Sequence, residues 1–226
     1  MKHSINLGAY GWQRGPWLGT FYPEDLPENW QLTYYSNEFN TVLVPASYWQ
    51  TQEERVSVKV DCADWLDNVH DEFQFFVECH VAMFEHVSLS ELIDNLKQLQ
   101  SQLSALVFID DNQAMSETVS SQFDALFDAL AVEVIGASAA SGSQLVVQSK
   151  DIWRLNEQGE KTQASSFAFI ENDLTDLRRA RKIVEDFVSQ LENDERASEA
   201  TIIVNHPQLQ ASDLSKFRSL LEIMGF

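Results

Sequence analysis

Glu78 and His80 stand two residues apart in FQFFVECH, a run that reads as a strand, so both side chains are expected on one face. Acids and imidazoles follow other apolar runs as well. Asp110 ends ALVFID and Asp111 comes next, Glu171 and Asp173 follow SFAFI, and His206 follows TIIV. If these runs are neighbouring strands, Glu78, His80, Asp110 and His206 make a candidate ligand set for a divalent metal that activates water. Glu78, Asp110 and Glu171 are also candidates for general acid and base work. Plain solvation offers a second account of the same residues, because strand-end loops are polar and this chain carries 35 acids. No HExxH, HxH or CxxC pattern strengthens the metal set. Ser47 beside Tyr48 lacks the GxSxG setting of an activated serine. GASAASG (136–142) has neither the lysine nor the following helix of a phosphate loop, and reads as a connection. His3, His70 and His86 read as surface or packing residues, and Cys79 as a small buried hydrophobe.

A second constellation is the stretch GWQRGPWLGTFYPEDLPENW (11–30). The chain has only eight glycines and five prolines, yet Gly11, Gly15, Gly19, Pro16, Pro23 and Pro27 crowd together here. Such residues break regular structure. Trp12, Trp17, Phe21, Tyr22 and Trp30 are too apolar to be left loose in water. A structured loop is therefore expected. Its aromatics either plug a scaffold or form a mouth in which Trp12, Trp17 and Tyr22, with Tyr48, Trp49 and Asn205, hold a planar or sugar-like ligand.

The elements that must position these residues alternate in type. Strands are expected at Ile5–Gly8, Thr41–Val44, Phe73–His80, Ala105–Asp110, Ala131–Gly136, Gln144–Gln148, Ser166–Ile170 and Thr201–Val204. Helices are expected at Trp30–Phe39, from Ser88 with Glu91 as a capping box, at Ser116–Leu130, Leu174–Leu191 and Asp213–Met224. Residues 52–69 fit either type. Strand–helix alternation implies parallel pairing, and eight units imply a TIM-like (β/α) barrel of the α/β class. Ala137–Ser143 is too short for a crossover helix, and residues 150–165 read as a hairpin turning at Gln158-Gly159. The barrel is thus expected to be irregular or incomplete around strands 5 to 7. With no linker or compositional break, residues 1–226 read as a single domain.

Gly8, Gly11 and Trp12, then Trp17, Gly19, Phe21, Tyr22 and Pro23, then Tyr34, Tyr35 and Phe39-Asn40-Thr41-Val42 together resemble the YecE-like family, domain-of-unknown-function family 72. The resemblance implies a TIM-like barrel and no settled reaction. It also exposes departures. The family's Glu-Ile-Asn-Ser after Phe-Asn-Thr-Val is here Leu43, Val44, Pro45 and Ala46. Its third-strand lysine is Glu78, and its Glu-Phe-Arg on strand five is Glu133, Val134 and Ile135. An arginine and a histidine of its seventh strand are replaced within Phe167–Asn172. These positions cluster where a barrel binds and reacts, so the chain is expected to be a divergent member that has lost groups for anionic or sugar-like ligands.

Bulk composition narrows the partners. At 44% hydrophobic residues the chain can build a substantial core. A net charge of −20, with the few cations scattered apart from Arg178, Arg179, Arg181 and Lys182, disfavours duplex nucleic acid and anionic membranes. Those four cations suit the solvated face of a helix. No signal peptide or membrane span is expected, and two cysteines make no disulfide framework, so the expected location is the cytoplasm. The expected function is non-catalytic binding of a small molecule or a protein, without a resident cofactor. The alternative is a metal-assisted hydrolase or isomerase with an acidic site at the C-terminal rim of the barrel.

Overall fold

The computed structural model describes residues 4–49, 62–80, 88–109, 125–126, 128–135, 137–140, 144–147, 152–155, 165–191 and 199–226. In chain order the elements begin with β1 (Ser4–Tyr10), α1 (Gln31–Ser36), β2 (Thr41–Val44), α2 (Ala46–Trp49), α3 (Ala63–Leu66) and β3 (Gln74–Glu78). They continue with α4 (Leu89–Lys97), β4 (Leu103–Val107), β5 (Glu133–Ile135), β6 (Ala137–Ala140) and β7 (Gln144–Val147). The last are β8 (Trp153–Leu155), β9 (Phe167–Ile170), α5 (Leu177–Leu191), β10 (Glu199–Val204) and α6 (Ala211–Met224). The chain forms two compact units, Met1–Val42 with Lys150–Phe226, and Leu43–Ser149, with β2 at the boundary.

In the first unit the strand order is β2-β1-β10-β9-β8. β1, β10, β9 and β8 pair in parallel, with Leu7 opposite Ile202 and Ile203 opposite Phe169. Parallel pairing of the first strand with the last is barrel topology, since an open doubly wound sheet leaves its terminal strands apart. FAFI of β9 is buried at every position, which marks a strand covered on both faces. α5 turns Ala180, Ile183, Val184, Phe187, Val188 and Leu191 inward. Arg178, Arg179, Arg181 and Lys182 lie exposed on its other side, and Arg181 pairs with Glu185 at 2.8 Å.

In the second unit β5, β4 and β3 follow one another in parallel. α4 starts where Ser88 Oγ accepts the Glu91 N–H at 3.2 Å, and it buries Leu92 and Leu96. Asn95, also buried, accepts the Cys62 N–H at 2.9 Å. The fold class is α/β, with the sequential parallel strand order of an incomplete TIM-like barrel.

Two local expectations are corrected. Gln144–Val147 is not a barrel strand: it pairs antiparallel with β6 in a separate ribbon, because the short connection leaves no room for a crossover. Its expected place in the parallel order belongs to Trp153–Leu155, which was not expected as a barrel strand and pairs in parallel with β9. Trp153 anchors it, fully buried with its ring 5.3 Å from that of Phe187. The expected turn at Gln158-Gly159 and most of the expected helix at Ser116–Leu130 lie outside the described residues. Among the described residues no helix is long and apolar enough to cross a membrane.

Candidate functional site

In the first unit the C-terminal ends of β1, β9 and β10 carry Tyr10, Glu171, Asn172, Asp173, Asn205 and His206. Over them lies the aromatic loop, which sets off from β1 through Gly11 and Trp12. Trp17 is completely buried, stacks on Tyr35 at 5.9 Å, and donates its indole N–H to the Leu209 carbonyl at 2.7 Å. Tyr22, buried too, donates its hydroxyl to the Trp12 carbonyl at 2.7 Å. Gly19 makes the turn between them, with φ of 71°, a backbone region other residues rarely adopt. Trp12 is 5% exposed. These three aromatics occupy the interior of the loop.

Arg14 was not singled out by sequence, yet it staples this end of the unit. Its guanidinium donates to the Tyr10 carbonyl at 2.8 Å and to the His206 carbonyl, joining the ends of β1 and β10. The same guanidinium lies 5.7 Å from the centre of the Trp17 ring, within cation–π range. A lone cation amid aromatics was the only trace in the sequence. Asn172, buried just after β9, was equally unmarked. Tyr10 meets Phe169 edge-on at 5.8 Å. Glu171, Asn205 and His206 are half-buried and Asp173 is exposed.

Asp173 accepts the Thr175 N–H at 2.9 Å and the Thr175 hydroxyl at 2.8 Å. These bonds hold its carboxyl below the usual range, helped by the nearby His206 and Arg179 charges. Asp173 and His206 are thus neighbours in the electrostatic sense.

In the second unit Glu78 closes β3 with its side chain 5% exposed. Its Oε2 accepts the Ala46 N–H at 2.8 Å, at the start of α2. The Glu78 carbonyl accepts the indole N–H of the fully buried Trp49 at 3.0 Å. Both ends of the glutamate therefore bind the β2–α2 segment. Pro45 and Ala46 stand where the family pattern expects Asn-Ser, and the carboxylate organises that altered turn. Tyr48 is half-buried and Ser47 exposed. His80 is half-buried two residues on. Cys79 is fully buried, and burial, with Glu78 and Cys62 nearby, pushes its thiol well above the usual range.

Of the candidate ligand set, Glu78 and His80 share the second unit, His206 lies in the first, and Asp110 lies outside the described residues; Glu171, an acid–base candidate, is in the first unit. Among the described residues no three His, Cys, Asp or Glu side chains converge as metal ligands do.

Comparison with known proteins gives the following. The family described as "Protein of unknown function DUF72" matches residues 6–138. A crystal structure of a DUF72 family protein from Enterococcus faecalis V583 is similar at a TM-score of 0.46 and 11% identity, covering 97% of this chain and 98% of that one. No curated protein matches. With the family match spanning more than half of its length, the chain belongs to the DUF72 family.

Proposed function

We propose that this DUF72 protein binds a small molecule or another protein and does not catalyse a reaction. One observation carries the reading: two charged side chains near its strand ends, Glu78 and Arg14, are engaged by its own backbone. Glu78 receives an amide N–H from Ala46, and Arg14 holds two carbonyl oxygens. A catalytic acid or an oxyanion clamp needs lone pairs or N–H groups aimed at a substrate. The buried aromatic loop adds shape to the surface rather than chemistry.

The alternative, a metal-assisted hydrolase or isomerase, draws support from Asp173, whose carboxyl is held low in part by the nearby His206 in the first unit. Melting the purified protein with and without Mn²⁺ or Zn²⁺, beside a hydrolase and isomerase screen, separates the two. Binding without catalysis predicts an unmoved melting curve and no turnover. A metal at 100 times its Kd adds ~2.7 kcal/mol, or roughly 5–10 °C for a chain of this size. Such a shift, abolished by H206A or E78Q together with a measurable turnover, would overturn the reading.

A further inference from the structure

Trp30 and Tyr34 are exposed where the rest of the aromatic loop is not: 60% and 40%. They lie four residues apart across the single 3-10 turn Glu28–Trp30 and α1, so they rise on one helical side. Tyr34 is held in place by Phe21 at 5.2 Å and Tyr22 at 5.7 Å, both edge-on. Tyr34 is thus a fixed ring, and the exposed indole of Trp30 stands one helical turn before it. Exposed aromatics grouped in this way mark interaction sites.

The surrounding charge identifies what fits. Glu24, Asp25 and Glu28 sit exposed on two turns leading into the helix, closed by Leu26 N–H on the Pro23 carbonyl and Trp30 N–H on the Pro27 carbonyl. None of these acids makes an ion pair among the described residues. No Lys, Arg or His occurs between Arg14 and Arg55 to neutralise them from within the segment. Carboxylates bordering two aromatic faces recognise a cation twice, through charge and through the ring quadrupole. Guanidinium suits both contacts best, being planar and weakly hydrated. A second copy of the chain is a poor occupant, since a two-fold contact would set the same acids against each other.

We infer that the Trp30–Tyr34 face docks a basic segment of a partner protein, arginine or lysine side chains lying over the two rings beside Glu24, Asp25 and Glu28. This deepens the binding reading proposed above and rests on it.

The probe is a short fluorescein-labelled peptide of alternating arginine and leucine, followed by anisotropy, with glutamate replacing arginine in the control peptide. Saturable binding of the basic peptide is expected. W30A and Y34A should each weaken it about tenfold, a loss of about 1.4 kcal/mol, and E28Q severalfold. I223A and E222Q, which alter an exposed apolar residue and an exposed acid on α6, should leave it unmoved. The W30A melting curve should coincide with wild type, whereas Y34A also loses the ring contacts to Phe21 and Tyr22 and should melt lower. Absence of saturable binding would overturn the inference. So would equal weakening by E222Q and E28Q with W30A unchanged, the mark of bulk charge. A wild-type dimer in sedimentation that W30A dissociates would assign the face to a second copy instead. Turnover at the rim is read separately and would overturn the binding reading. A lost peptide response with the rim inert would overturn only the partner assigned here.

Discussion

Truncating Trp17 tests whether the aromatic loop is an anchor. Its side chain is completely buried, so W17A exposes or vacates a surface of ~200 Å², worth ~5 kcal/mol at ~25 cal/mol per Å². Measured truncations of this kind cost ~3–5 kcal/mol. The indole also donates to Leu209, 2.7 Å away, tying the loop to the segment between β10 and α6. W17F retains much of the apolar contact but strands that carbonyl, at ~1–3 kcal/mol. For a chain of this length each kcal/mol moves Tm by ~2–4 °C. W17A should therefore melt roughly 6–20 °C lower and W17F roughly 2–12 °C lower. W30A, at 60% exposure, should stay within ~0.5 kcal/mol of wild type. Far-UV circular dichroism melts of the three variants supply the measurement. If W17A melted within about 2 °C of wild type, the loop would not be held by its aromatics, and a ligand-stacking role for Trp17 would regain its place.

Three further outcomes follow from single contacts. A Cβ at Gly8 would meet the Thr41 carbonyl, approaching its carbon to 2.7 Å, and that carbonyl is pinned by the Tyr35 hydroxyl at 2.7 Å. G8A should lose more than ~4 kcal/mol or fail to fold, and soluble yield with a wild-type melt would refute the close approach. E78A should lose ~1.5–3 kcal/mol in urea titration by stranding the Ala46 N–H; E78Q, which can still accept, should lose less, and equal losses would assign the effect to charge. Asp173 has a folded pKa below its unfolded one, so its contribution is present above the ordinary carboxylate value, about 3.9, and vanishes as pH falls through the lower folded value. D173N should therefore narrow the stability difference between neutral and acidic pH, with no effect on the alkaline side, and an unchanged acid limb in Tm against pH would refute this.

The fold was legible where a strand is buried on both faces. TVLV and FAFI are continuous apolar runs, and every position of each is buried. The capping box at Ser88 was legible because a local hydrogen bond defines it. Trp153–Leu155 was not, because its three residues carry no period and a tertiary partner decides their state. The ring of Phe187, thirty-four positions on, pulls Trp153 inward, and β9 supplies the parallel ladder. The Tyr34-Tyr35 pair carried a resemblance but not a division of labour. Tyr35 is buried, its hydroxyl accepting the Ala9 N–H at 3.0 Å and donating to Thr41, and burial holds its pKa far above the ordinary value. Its neighbour faces solvent. Spacing alone does not reveal which of two adjacent tyrosines turns inward when hydrogen bonds to two strands make the choice.

A carboxylate that caps a backbone donor and one that faces water differ in what a ligand must displace. Recruiting Glu78 means taking it from the Ala46 N–H, and an amide left buried and unpaired costs ~1–3 kcal/mol, which is roughly 5- to 150-fold in affinity. The same holds for Arg14, whose guanidinium would release the ends of β1 and β10. Glu24, Asp25 and Glu28 impose no such penalty, since their carboxylates are exposed on turns that close through backbone bonds. Affinity therefore accrues more readily beside Trp30 than at the strand ends. If the chain binds a cationic partner, the acids beside Trp30 are therefore the expected contact rather than Glu78 or Arg14.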